Sequence, residues 1–105
     1  VRCVPTHGHT PGHVSVLIES AGQRALITGD ATHSPIQFRY PEIAARNVDW
    51  DSDRSTTTRR RIVDDYGDTD VLVLGTHFAP PTAGHIRLGP DGAWFAGYEP
   101  PDMVG

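Results

Sequence analysis

His13, Asp30 and His77 are the residues whose types and placement could do chemistry. His13 stands immediately before the β-branched run Val14–Glu19. Asp30 follows the run Arg24–Thr28 through Gly29, and His77 follows Asp70–Leu74 through Gly75-Thr76. A residue at a strand end, reached through a glycine-containing turn, is firmly placed yet open to a shared cleft. Metal ligation needs that combination, because donor atoms must be fixed to a few tenths of an ångström. Two imidazoles and one carboxylate form a borderline N/O set suited to Zn²⁺, Fe or Mn. Spacing alone leaves the alternative open, since histidines at strand ends more often hydrogen-bond their own loops.

The elements that must position these residues follow from local pattern. Val1–Pro5 and Val14–Glu19 are expected as strands, joined by the turn-rich stretch THGHTPGH, in which Gly8 and Gly12 permit positive φ and Pro11 fixes its own. Ala21-Gly22-Gln23 reads as a hairpin turn into Arg24–Thr28. Residues 31–50 lack a period and carry two prolines, so a long irregular connection is expected there, with one turn of helix near Ile36–Arg39. Asp51-Ser52-Asp53 supplies N-cap chemistry for a helix to Tyr66, with Thr58, Ile62 and Tyr66 on its apolar stripe and Gly67 as the C′ residue. Arg59-Arg60-Arg61, followed by Asp64-Asp65, reads as a solvated face of that helix. Strands at Asp70–Leu74, Gly84–Leu88 and Ala93–Tyr98 complete the order, the last two joined by the turn Gly89-Pro90-Asp91-Gly92. A mixed β-sheet with helix on one face is expected, an α+β arrangement.

Composition bounds the function. The 105 residues carry nine arginines, no lysine and thirteen acids, for a net charge of −4. That balance argues against sequence-independent binding to nucleic acid or an anionic membrane surface. No apolar run approaches the 18 or so residues of a membrane span, and no signal peptide is visible, so a cytoplasmic location is expected. Cys3 alone cannot form an intramolecular disulfide and reads as a small apolar strand residue. The chain opens on a valine and its one methionine is Met103, so it is expected to be an excerpt of something longer.

Taken together, Thr6-His7-Gly8-His9-Thr10-Pro11-Gly12-His13, then Ile27-Thr28-Gly29-Asp30, then Leu74-Gly75-Thr76-His77-Phe78 resemble the third, fourth and fifth metal motifs of the metallo-β-lactamase-fold superfamily. The resemblance runs from Thr6 to about Ile86. It implies an αββα sandwich built of two similar halves, of which residues 1–105 would be the C-terminal half. His13 would be a ligand of the first metal, Asp30 the carboxylate shared by both, and His77 a ligand of the second. A complete domain of this kind holds two Zn²⁺, with Fe or Mn as alternatives. Asp30 would orient the metal-bridging hydroxide and pass a proton to the leaving group. His9 falls where the family often has a residue supporting the metal loop, and His33 borders the cleft as a support or substrate contact. His7 reads as an exposed loop residue, His85 as structural, and Asp51 and Asp53 as helix capping.

The departure is the N-terminal motif His-x-His-x-Asp-His, which is absent. His7-Gly8-His9 imitates its start, but Pro11 and Gly12 occupy the positions of its aspartate and last histidine. Two donors per metal, one of them shared, fall short of the three protein ligands of a catalytic zinc. The isolated chain is therefore expected to bind zinc weakly or not at all and to be inactive, with the missing N-terminal half as its partner. Residues sort the branches. Asp30 is not the cysteine of two zinc β-lactamase classes, and no Gly-Cys-Gly-Arg run of the glyoxalase II kind follows it. His33-Ser34-Pro35-Ile36-Gln37 and Asp51-Ser52-Asp53 resemble the lactonase, arylesterase and phosphotriesterase-like branch. The function implied is metal-dependent hydrolysis of a small ester, lactone or phosphotriester. A non-catalytic remnant or assembly module, and an iron-binding redox relative, are the alternatives. A half-sandwich would leave an apolar sheet face uncovered, so homo-oligomers are expected from the chain alone.

Overall fold

The computed structural model describes residues 1–43 and 49–98. Six strands form one sheet in sequence order: β1 (Arg2–Pro5), β2 (Val14–Ser20), β3 (Gln23–Ile27), β4 (Leu72–Leu74), β5 (Ala83–Gly89) and β6 (Gly92–Gly97). Every neighbouring pair is antiparallel except β3 and β4, which run parallel. Parallel neighbours need a crossover. Here it comprises a 3₁₀ turn (Gly29–Ala31), the single helical turn α1 (Ile36–Arg39) and the helix α2 (Ser52–Tyr66). The parallel pairing brings the ends of β3 and β4, which lead to Asp30 and His77, to the same edge of the sheet.

Strict alternation sorts the two faces. Leu17, Leu26, Val73 and Ile86 are buried from four adjacent strands and pack with Phe38 of α1 and Ile62 of α2. Phe38, Phe78 and Phe95 close this core with ring centroids 5.3–5.8 Å apart. The alternate residues, Val16, Ile18, Ala25, Ile27, Leu72 and Leu74, are only half-buried. They form a continuous apolar face over which no described helix lies. Cys3, paired with Val16, is exposed beside it. The fold is the mixed-sheet α+β arrangement expected from the sequence.

Helix α2 starts where its cap chemistry puts it. Asp51 is extended, and its carboxylate accepts from the backbone N–H of Asp53 and Arg54, both at 3.1 Å. Thr58 and Ile62 are buried along the expected stripe. Two readings of this helix need correction. Gly67 is not left-handed but has φ −64° and ψ 137°, and the left-handed residue is Asp68 at φ 54°. Glycine is needed at 67 because a Cβ there would lie 2.5 Å from the Val63 carbonyl oxygen. Arg59 is not on a solvated face but wholly buried, whereas Arg60 and Arg61 are exposed. Its guanidinium donates to the carbonyls of Pro41 (2.9 Å), Ala31 (3.3 Å) and Ile43 (3.3 Å), and lies 3.8 Å from Asp49. Charge pattern could not separate the three arginines, because the acceptors that hold Arg59 come from the irregular segment.

Candidate metal centre

The loop carrying the first histidines is pinned to α2. Thr58 Oγ1 donates to the His7 carbonyl at 2.6 Å, and Asp51 N–H donates to the Gly8 carbonyl at 2.9 Å. Gly8 has φ +142°, and a Cβ there would meet Ser55 N at 2.4 Å, so only glycine lets the loop approach the helix. This contact half-buries His7, which differs from its expected exposure.

His13 is oriented by a buried hydroxyl network. Its Nδ1–H faces the Thr6 carbonyl at 3.1 Å and Thr6 Oγ1 at 2.9 Å. Thr6 Oγ1 in turn contacts Ser15 Oγ at 2.9 Å, and Ser15 donates to the Thr28 carbonyl at 3.1 Å. A carbonyl can only accept, so the hydrogen sits on Nδ1 and the lone pair on Nε2. That lone pair accepts from the Asp30 backbone N–H at 3.0 Å. Gly29 permits the approach, with φ +58° and room for a Cβ only 3.0 Å from His13 Nε2.

Asp30 is the hub. Its Oδ1 lies 2.5 Å from His77 Nε2, and its Oδ2 lies 3.4 Å from His9 Nε2. The hydrogen bond with His77 holds the Asp30 carboxyl below the usual carboxylate range, burial opposes this, and His9, His77 and His33 add attraction. His33 stacks on His77 with centroids 5.0 Å apart, and Gln37, itself buried, ties down its segment by accepting from the His33 N–H at 2.6 Å. Burial, chiefly, pushes the His33 pKa down, and His77 adds to that.

Among the described residues, Asp30, His33 and His77 offer ligand atoms within 4.8 Å of one another. Zinc bonds of about 2.0–2.1 Å set tetrahedral donors about 3.3 Å apart, so these side chains would draw closer together around a metal. The donor chemistry fits a borderline cation. His13 stands beside this group rather than in it, with its lone pair engaged by the Asp30 amide. Of the five residues expected from the sequence, His9, Asp30, His33 and His77 converge through side chains, and His13 joins through the backbone. Asp49 and Arg59 belong to the same constellation, and sequence reasoning missed both. The signal for Asp49 was its place two residues before the helix cap, which capping alone absorbs.

A mixed sheet backed by helices, with histidines and an aspartate gathered at one end of the strands, is an α+β fold carrying a candidate metal centre. The profile of the metallo-beta-lactamase superfamily matches residues 4–76, and the chain belongs to that superfamily. Its fold is similar to the hydrolase AbOPH of the beta lactamase superfamily, with a TM-score of 0.85 and 26% identity over 96% of this chain and 35% of that one. It is also similar to AidC, a dizinc quorum-quenching lactonase, with a TM-score of 0.82 and 24% identity over 92% of this chain and 33% of that one. An N-acyl homoserine lactone hydrolase matches less closely, with a TM-score of 0.58 and 22% identity over 75% and 31% of the two chains. The chain thus spans about a third of the length of each of these structures. A search of curated proteins gave no match. Among the described residues, no helix is long and apolar enough to cross a membrane.

Proposed function

We propose that this chain is the C-terminal half of a dinuclear metal hydrolase domain, acting on an ester, lactone or phosphotriester. The observation that carries the reading is Asp30, whose two carboxylate oxygens face different histidines at the shared end of β3 and β4. A carboxylate with both oxygens turned to separate nitrogen donors is suited to be shared between two ions. His13 would serve one ion and His77 the other, with Zn²⁺ favoured by the N/O donor set and Fe or Mn as alternatives. When bound, such a metal pair supplies an activated water and polarises the scissile group.

The chain's own residues do the rest. The hydrogen bond with His77 holds the Asp30 carboxyl below the usual carboxylate range, which favours its charged, ligating form. The Thr6 carbonyl fixes the His13 tautomer with its lone pair on Nε2, which accepts from the Asp30 amide and would have to leave it to take a metal. His33 and His77 border a cavity of about 640 Å³ whose wall includes Pro35, Pro80, Pro81 and Phe95. A lining that mixes prolines and Phe95 with His33, Ser34 and His77 suits a small substrate with both polar and apolar parts.

The partner in this reading is the first half of the same domain, seated on the apolar face of Val16, Ile18, Ile27 and Leu74. The short share of each similar structure that the chain spans supports it. The test is co-expression of the chain with a complementary first half bearing His-x-His-x-Asp-His. Metal analysis and turnover of lactone, aryl ester and phosphotriester panels follow. Zinc-dependent turnover by the reconstituted pair supports the reading, and a metal-loaded pair inert to every panel sinks it.

A further inference from the structure

We infer that Asp49 is a positioning residue for Asp30, acting through His9 and held in turn by the buried Arg59. Its functional consequence rests on the metal-hydrolase reading, but its contacts rest on geometry alone.

The segment around Asp49 lies alongside the histidine loop. Trp50 N–H donates to the His9 carbonyl at 2.8 Å, and Asp51 N–H donates to the Gly8 carbonyl at 2.9 Å. These two bonds set the Asp49 side chain beside the His9 ring. That side chain is 1% exposed, and its Oδ1 lies 3.1 Å from His9 Nδ1. A carboxylate offers lone pairs only, so the hydrogen between these atoms belongs to Nδ1. With Nδ1–H committed to Asp49, the His9 Nε2 is turned to Asp30 Oδ2, 3.4 Å away, where it can donate to that oxygen when the ring is protonated or take a cation together with it when the ring is neutral. The other Asp49 oxygen, Oδ2, has no hydrogen-bond partner among the described residues and lies 3.8 Å from Arg59 Nη1.

Arg59 anchors the row from behind. Its three carbonyl acceptors belong to the crossover segment that also carries Asp49. A buried ion pair of this kind adds little stability over apolar packing. What it delivers here is orientation: Arg59 fixes Asp49, Asp49 fixes the His9 ring, and His9 faces the oxygen of Asp30 that His77 leaves free. Carboxylate–imidazole pairs behind a metal ligand act in this way, and their loss typically costs 10- to 100-fold in metal affinity or activity.

The experiment is long-range ¹H–¹⁵N NMR of the imidazoles in the metal-free, ¹⁵N-labelled chain, followed by zinc titration read on the same signals. Wild-type His9 is expected as the Nδ1–H tautomer, and a His9 found as Nε2–H overturns the inference without any variant. Asp49→Ala is expected to abolish that preference, while Asp49→Asn, whose carbonyl oxygen still accepts from Nδ1–H, retains it. A His9 tautomer unchanged in Asp49→Ala overturns the inference, as does an equal loss in Asp49→Asn. Where the wild type takes zinc, Asp49→Ala should weaken it by about 10- to 100-fold, and an unchanged affinity overturns the positioning role. Where the chain alone takes no zinc, as its short donor set allows, the comparison is made on the domain reconstituted with its first half. An unchanged zinc affinity of Asp49→Ala there overturns the positioning role. A reconstituted wild type that takes no metal counts against the hydrolase reading and leaves the His9 result to stand by itself.

Discussion

Replacing Arg59 by alanine should be the most damaging single change outside the metal centre. The guanidinium is wholly buried and donates to three backbone carbonyls while facing Asp49. Truncation takes the Arg59 donor from the Pro41 and Ala31 carbonyls and the facing charge from Asp49, while Ile43 keeps Gln37 and Asp49 keeps His9. Breaking a buried pair by removing one member costs about 3–5 kcal/mol. A domain of this length has a total stability of roughly 5–15 kcal/mol, so Arg59→Ala removes a large part of it. At about 4–8 °C per kcal/mol for a small domain, the midpoint should fall by about 12–40 °C. Arg59→Lys keeps the charge but not the fork of donors, and should lose about half as much. Arg60→Ala, one residue on and exposed, should stay within about 0.5 kcal/mol of wild type. Urea and thermal unfolding followed by circular dichroism measure all three. If Arg59→Ala and Arg60→Ala unfold together, the buried-anchor account of α2 is wrong.

Gly8→Ala should undock the histidine loop from α2, because its Cβ would fall 2.4 Å from Ser55 N; a loss of about 2 kcal/mol or more in urea unfolding is expected. Asp30→Asn removes the shared carboxylate charge and should weaken zinc binding by at least about 100-fold, read by calorimetry on the reconstituted domain. The His33 pKa is lowered in the fold, so the unfolded chain takes up that proton first as pH falls. Its contribution is full above the ordinary value of about 6.5 and is lost as pH falls through it; His33→Asn should flatten urea midpoints over that window in the metal-free chain. Alone, the chain should dimerise or associate through its apolar sheet face, and a monomer across a wide range of sedimentation concentrations would contradict that.

Much of the framework was legible because it depends on local rules. The alternation in Val14–Glu19 marks a strand with one buried face, and Asp51-Ser52-Asp53 marks the start of α2. His13, Asp30 and His77 were legible as strand-end residues; the parallel β3–β4 pair brings Asp30 to His77, and the antiparallel β2–β3 pair brings His13 to the Asp30 amide. What the sequence withheld lies in the crossover. Arg59 looks like its neighbours Arg60 and Arg61 until the carbonyls of Ala31, Pro41 and Ile43 are brought to it. Gly67 invited a left-handed cap, yet close packing on Val63 explains it. Asp49 became visible only when backbone pairing set it against His9. Part of the long connection expected over residues 31–50, residues 44–48, lies outside the described residues.

The sheet has a front and a back. Every strand runs between the end that carries the histidines and an opposite end, where β2 turns into β3 through Ala21-Gly22 with Ser20 paired to Gln23. That hairpin tip is exposed and touches nothing in the metal centre. A fluorophore, affinity handle or surface-immobilisation tag placed there would report on the molecule or hold it while leaving the histidine-bearing end facing solution.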